Sequence, residues 1–137
     1  MYLDQRTDAL ERGRAGERFL KEILEAELSG TGLTVSMPTE EDHRVPFDLE
    51  ILDGDRILVG IENKDLGPST IGTWQYKRAI RRKLRYAREH SIPKILTTVT
   101  MRDAGRIGFC RGLANSHVMR FDFELSHLLQ EIREASP

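Results

Sequence analysis

The sequence predicts an α/β fold, a mixed central sheet flanked by helices. Three observations carry this. An amphipathic helix opens the chain, an antiparallel meander of short strands follows it, and strands then alternate with helices to the end. With 137 residues, 39% of them hydrophobic and 31% charged, the chain has apolar material for one core. Residues 1–137 are expected to form a single domain.

The spacing predicts a first helix over Asp4–Leu28. Leu20 and Leu24 stand four apart, as do Phe19 and Ile23, giving one apolar stripe. Ser29, Gly30 and Gly32 stop it. Gly13 and Gly16 lie inside it, where each costs about 0.5–1 kcal/mol relative to Ala. A close neighbour against the helix backbone is a reason to keep them. Leu33–Met37 reads as a short strand ended by Pro38, and Thr39–Val45 as a polar loop. In Phe47–Leu52, Phe47, Leu49 and Ile51 alternate with Asp48 and Glu50. Asp53-Gly54-Asp55 is a hairpin turn leading into a strand over Arg56–Asn63.

Gly67-Pro68 breaks the chain before a helix expected over Gly72–His90, with Tyr76, Ile80, Leu84 and Ala87 as its stripe. The β-branched run Lys94–Thr100 reads as a buried strand. Asp103–Ser116 is expected to be a helix burying Ala104, Ile107, Cys110 and Ala114, with a strand over Arg106–Cys110 as the alternative. A short strand over His117–Phe121 and a closing helix over Phe123–Ala135 complete the order.

Composition excludes several classes. No apolar run approaches the ~18 residues of a membrane span, and Met1–Arg14 is charged throughout, unlike a signal peptide. A single cysteine, Cys110, excludes an intramolecular disulfide and a cysteine-based zinc site. A cytoplasmic location is the expectation. The net charge of −1 hides an asymmetry: residues 1–76 hold 16 acids and 8 Lys/Arg, residues 77–137 hold 6 acids and 13 Lys/Arg. Acids gathered in one place hold a metal, and a basic surface attracts a polyanion.

The chemistry gathers around the hairpin. Glu62 and Lys64 are two apart on one strand and share a face, and the hairpin sets that strand beside Asp48. Two carboxylates together repel unless a cation sits between them, which implies a hard divalent ion such as Mg²⁺, with Mn²⁺ able to substitute. The Asn63 carbonyl offers a third oxygen ligand. Lys64 is placed to hold or deprotonate a metal-activated water, or to stabilise phosphate charge. Glu17 is the carboxylate on the sheet-facing stripe of the first helix. It either joins the metal site or pairs with an arginine at the surface.

Those residues resemble the PD-(D/E)XK nuclease superfamily. The shared pattern is Val45-Pro46-Phe47-Asp48, then Gly60-Ile61-Glu62-Asn63-Lys64, with Glu17 of Arg14-Ala15-Gly16-Glu17-Arg18 upstream. The superfamily core runs helix, three strands, helix, strand, the order expected over residues 4–100. Arg12–Glu17 with Phe19-Leu20 is similar to the opening of archaeal-type Holliday junction resolvases. Thr97–Thr100, then Val118–Asp122 and Leu125–Leu129, resemble Mrr-type restriction and repair nucleases. Phe47 between Pro46 and Asp48, and Asn63 in place of a small apolar residue, depart from the pattern. The resemblance implies a restriction-endonuclease-like core and cleavage that leaves 5′ phosphates. Asp48, Glu62 and Asn63 would be the metal ligands, and Glu17, Asp48, Glu62 and Lys64 the catalytic set.

A basic helix is the second signal. Lys77, Arg78, Arg81, Arg82, Lys83, Arg85 and Arg88 put seven cations and no acid into twelve residues. Like charges at i,i+4 destabilise a helix, and a bound polyanion relieves them. Lys77, Arg78, Arg81, Arg82, Arg85 and Arg88 are therefore the candidate DNA contacts. Trp74 packs in the core or stacks on a base, and Tyr76 is expected in the core. Glu50 either borders the site or pairs at the surface. Glu40-Glu41-Asp42 reads as a solvated loop, the four histidines lack metal-ligand spacing, and Cys110 reads as a core residue.

Together these lead to a Mg²⁺-dependent DNA endonuclease, structure-specific as the resolvases are, or Mrr-like. Cutting two strands takes two sites, so a homodimer is expected. The rival readings are a non-catalytic DNA-binding module and an RNA-processing nuclease.

Overall fold

The computed structural model describes residues 2–38, 47–65, 77–112 and 120–136, with backbone alone at 2–10, 12 and 77–80. The expected polar loop over Thr39–Val45 and the break at Gly67 lie outside the described residues. So do Trp74, Tyr76, His43 and Ala114, and most of the expected strand over His117–Phe121.

The fold is α/β, with a five-stranded mixed sheet and three helices. Helix α1 spans Tyr2–Glu27, and strands β1 (Leu33–Ser36), β2 (Leu49–Asp53) and β3 (Arg56–Asp65) follow. Helix α2 (Lys77–Glu89), strands β4 (Lys94–Met101) and β5 (Arg106–Arg111) and helix α3 (Leu125–Glu134) complete it. The sheet order is β1-β2-β3-β4-β5. Strands β3 and β4 run parallel, and the other neighbours antiparallel.

The β2–β3 turn is tight because Asp53 pairs with Arg56 across two residues, and Gly54 takes φ 61°. That left-handed conformation suits glycine. The register shifts between Ile51 and Leu52, a bulge that bends β2.

The expected helix over Asp103–Ser116 is corrected. A single 3₁₀ turn, Arg102–Ala104, leads through Gly105 (φ 63°) into β5, which pairs with β4 from Leu96↔Arg111 to Met101↔Arg106. Its buried residues are consecutive, Ile107 to Cys110, because both faces of the strand are covered. Phe123 lies over Gly108, where an added Cβ would meet its ring at 2.7 Å. Asp122 bridges to Phe109 on the outer edge of β5.

One face of the sheet carries the main core. Leu20 and Leu24 of α1, Leu28 just after it, and Leu128, Leu129 and Ile132 of α3 pack with Leu49, Ile51, Val59, Ile61, Leu96 and Phe109. The expected shared face of Phe47, Leu49 and Ile51 is also corrected. Phe47 joins a second cluster with Ala87 and Ile92, packed by Ile57, Tyr86 and Ile95. Its ring covers Gly60, where a Cβ would meet it at 2.8 Å. Ile95 and Leu96 are adjacent on β4 yet belong to different clusters, so α2 lies on the face opposite α1 and α3.

Of the expected α2 stripe, Tyr76 and the Ile80 side chain lie outside the described residues, and Ala87 is buried as expected. Leu84 is 47% exposed, while Lys83, Tyr86 and Ala87 turn inward. On the main face, α3 is tied to the sheet by Glu131, a buried carboxylate that accepts from Lys94 Nζ and from Arg111 Nε, each at 2.7 Å. Those two partners hold its carboxyl below the usual range, Arg111 foremost.

Candidate functional site

The site forms where β3 outruns its antiparallel partner. Strand β2 begins at Leu49, and Asp48 precedes it, anchored by its N–H donating to the Ile61 carbonyl at 3.0 Å. The Asp48 carboxylate turns back across the strand end and accepts the Asn63 N–H through Oδ2 at 2.8 Å. Proximity of Asp48 to the Glu62–Lys64 segment was readable from the hairpin. That its first partner is a backbone amide was not.

Alternation along β3 divides the next four residues between the two faces. Asn63 and Asp65 face α1. Thr98 Oγ1 donates to Asn63 Oδ1 at 2.8 Å, and the Asn63 amide nitrogen donates to Thr100 Oγ1 at 3.3 Å. This threonine ladder accommodates the polar side chain of Asn63. Asp65, its side chain 5% exposed, accepts from Thr100 Oγ1 at 2.8 Å and is ion-paired with Arg102 at 3.0 Å. Gly16 packs against that pair. A Cβ there would lie 2.7 Å from the Asp65 Cβ and 2.8 Å from Thr100 Oγ1. Gly16 thus brings α1 down onto the strand ends and delivers the next residue, Glu17, to the site. Gly13 has no such neighbour within 4 Å.

Glu17, Asp48 and Glu62 act on one another electrostatically. Burial pushes Asp48 up to about 6, and the Glu17 charge adds to the rise. Burial pushes Glu62 up to about 7, with Asp48 as the next cause. Glu17 is raised by burial too, offset by its hydrogen bond to Asp48 and by Arg14. Three partly buried carboxylates whose pKa values are all raised, burial first, form a site suited to positive charge. Glu17 feels Asp48 and Glu62 and also the charges of Arg14 and Arg18, so both of the partners expected for it are within electrostatic reach.

The residue that supplies positive charge here is Lys83 of α2, which forms an ion pair with Glu62 Oε2. Sequence reasoning counted Lys83 in the basic run but gave it no role at the site. Its signal was position: it lies four residues before buried Ala87, on the side of α2 that meets the sheet. Lys64, two residues beyond Glu62, is partly buried on the same face of β3. Among the described residues, no three Asp, Glu, His or Cys side chains are arranged to hold a metal ion as they stand. The reason is visible in the partners: Asp48 Oδ2 is turned to the Asn63 amide and Glu62 to Lys83.

Arg81, Arg82, Arg85 and Arg88 are exposed along α2, as a polyanion-facing surface requires. Lys77 and Arg78 belong to the first turn of the same helix. Glu50 is buried, at 5% exposure, rather than at the surface. Cys110 is buried, and burial pushes its thiol pKa up, so it is an inert packing residue. His90 stacks on Tyr86 at 4.0 Å, and His127 bonds Asp122 at 2.8 Å. No helix among the described residues is long and apolar enough to cross a membrane. No family model matches the chain, and no curated protein matches it.

Proposed function

We propose that this chain is a Mg²⁺-dependent DNA endonuclease with a restriction-endonuclease-like core, acting in the cytoplasm as a homodimer. The observation that carries the reading is the crowding of Glu17, Asp48 and Glu62 at one end of the sheet, where burial raises all three carboxyl pKa values, the Glu17 charge adds to that of Asp48 and the Asp48 charge to that of Glu62. The donor set suits a hard divalent ion: the donors are oxygens, they are negatively charged, and they are partly desolvated. Asp48, Glu62 and the Asn63 carbonyl would hold Mg²⁺ or Mn²⁺. When bound, the metal supplies Lewis-acid stabilisation of phosphate charge and a more acidic water.

The remaining steps belong to the chain. Lys64 holds the attacking water and takes part in its deprotonation, working from the same strand face as Glu62. Glu17 adds a further negative charge beside Asp48. The exposed arginines of α2 hold the DNA backbone without reading its sequence. In-line attack then leaves a 5′ phosphate and a free 3′ hydroxyl.

A second reading is favoured by one contact. Lys83 already pairs with Glu62, as it would in a DNA-binding module that keeps the fold without turnover. Nicking of supercoiled plasmid with Mg²⁺ separates the two. The wild-type chain should nick. Glu62→Gln should not, yet should bind DNA as before, and Lys64→Ala should lose cleavage while still binding Mn²⁺. Wild-type rates from Glu62→Gln would refute the site. A panel of linear duplex, flap, single strand, four-way junction and RNA then ranks resolvase-like, Mrr-like and RNA-processing roles.

A further inference from the structure

We propose that Lys83 is the resident counter-cation of the carboxylate site, a positioning residue that a divalent metal ion must displace from Glu62. The proposal rests on the reading of Glu17, Asp48 and Glu62 as a metal site, and goes beyond it by adding a competitor from α2.

Four other cations of this helix, Arg81, Arg82, Arg85 and Arg88, are exposed. The Lys83 side chain is 14% exposed and its partner Glu62 29%. Burying an ammonium is costly unless it is paired, so its presence here needs a cause. Packing supplies none. Position 83 lies on the inward side of α2 with Tyr86 and Ala87, where an apolar side chain would extend the cluster around Phe47. Lysine instead carries a charge to the place where three carboxylates crowd. Asp48 feels that charge as well, since Lys83 offsets part of the rise in its pKa.

The competition follows from electrostatics. Glu62 presents the oxygen that a metal would use, and Lys83 stands on it. An ammonium and a divalent cation repel each other and cannot share that oxygen. The apo site is thereby partly neutralised from within, and metal affinity is reduced by whatever the ion pair is worth. Linkage makes the effect reciprocal: metal binding releases Lys83 from Glu62.

The test is Mn²⁺ affinity, measured by calorimetry on the full chain without DNA at about pH 8, where both carboxyls are ionised. Lys83→Met and Lys83→Gln should each bind Mn²⁺ about tenfold more tightly than wild type, the size of effect a neighbouring unit charge exerts. Lys83→Arg should stay near wild type. Circular dichroism reports the fold in each case. A variant that folds only when Mn²⁺ is added supports the proposal, because the metal then replaces the missing cation. A variant left unfolded by Mn²⁺ assigns Lys83 to structure alone and overturns it. So does unchanged or weaker affinity in folded Lys83→Met and Lys83→Gln. Asp48→Asn distinguishes the two levels. If it abolishes Mn²⁺ binding while the Lys83 variants fail to tighten it, only the counter-cation falls. If Asp48→Asn binds as wild type, or if wild type and Lys83→Met both fail to bind, the metal site falls with it.

Discussion

Asp48→Asn should make the metal-free protein more stable, and the gain should depend on pH. The Asp48 carboxyl is raised from 3.8 to about 6, first by burial and then by Glu17. A folded pKa above the unfolded one means that the folded protein holds the proton longer. Stability is therefore full below 3.8 and is lost as pH rises through about 6. At about 1.36 kcal/mol per unit, the ionised carboxylate costs the fold at most about 3 kcal/mol at pH near 8, and only about 0.5 kcal/mol near pH 4. Asparagine removes the charge and keeps an oxygen to accept the Asn63 N–H, and its amide can donate to Glu17. The assay is urea denaturation of both proteins at several pH values, without metal. The expected result is a midpoint difference that favours Asp48→Asn, grows from pH 4 to pH 8, and is worth about 1–3 kcal/mol at the top. Glu62, raised from 4.5 to about 7, adds a pH dependence of the same sign in both proteins. A difference that is zero or negative near pH 8, or that is constant with pH, would refute the argument that the site is crowded with charge.

Replacing Arg81, Arg82 and Arg85 with Ala should weaken binding to unrelated DNA sequences and flatten the dependence of log K on log salt. Each lost phosphate contact removes about 0.9 from the slope for duplex DNA; an unchanged slope would make α2 a solvated face only. The two helical glycines should respond in opposite directions. Gly13→Ala, with open space around it, should stabilise by about 0.5–1 kcal/mol in thermal melts. Gly16→Ala, meeting Asp65 and Thr100 below 3.0 Å, should destabilise by about 1–3 kcal/mol. A stabilising Gly16→Ala would mean that α1 does not seat on the strand ends as described.

Much of the framework was legible because its periods are clean. Leu20 and Leu24 announced the sheet-facing side of α1, and the Asp53–Asp55 turn announced the hairpin that sets Asp48 beside Glu62. β5 was misread for a physical reason. A strand covered on both faces has no period of two, and Ala104, Ile107 and Cys110 fall by chance at helical spacing. The face of α2 failed differently. Periodicity points apolar residues inward and lysines outward, so it chose Leu84. What turns Lys83 inward is the charge of Glu62, a tertiary partner that spacing within a helix does not reveal. At the site, the helix stripe put Glu17 on the side of α1 that packs against the sheet. The Asn63 amide's grip on Asp48 was not legible, because it depends on how far β3 runs past β2.

The parallel junction between β3 and β4 has a kinetic meaning as well as an architectural one. Among the described strand pairs, β1–β2, β2–β3 and β4–β5 join segments close in sequence, whereas Val59 pairs with Lys94. Low-separation contacts close first, and distant ones carry the larger entropic cost of loop closure. The meander with α1, and helix α2 with the β4–β5 hairpin and α3, are thus two segments that zip together along this seam. The units differ in charge, since residues 1–76 are net −8 and residues 77–137 net +7, so the last step of folding is assisted by long-range attraction. A chain opened between β3 and α2 would yield two oppositely charged fragments whose reassembly speeds up as salt is lowered. The same charge division that marks an acidic site and a basic face also serves to bring the two halves of the sheet together.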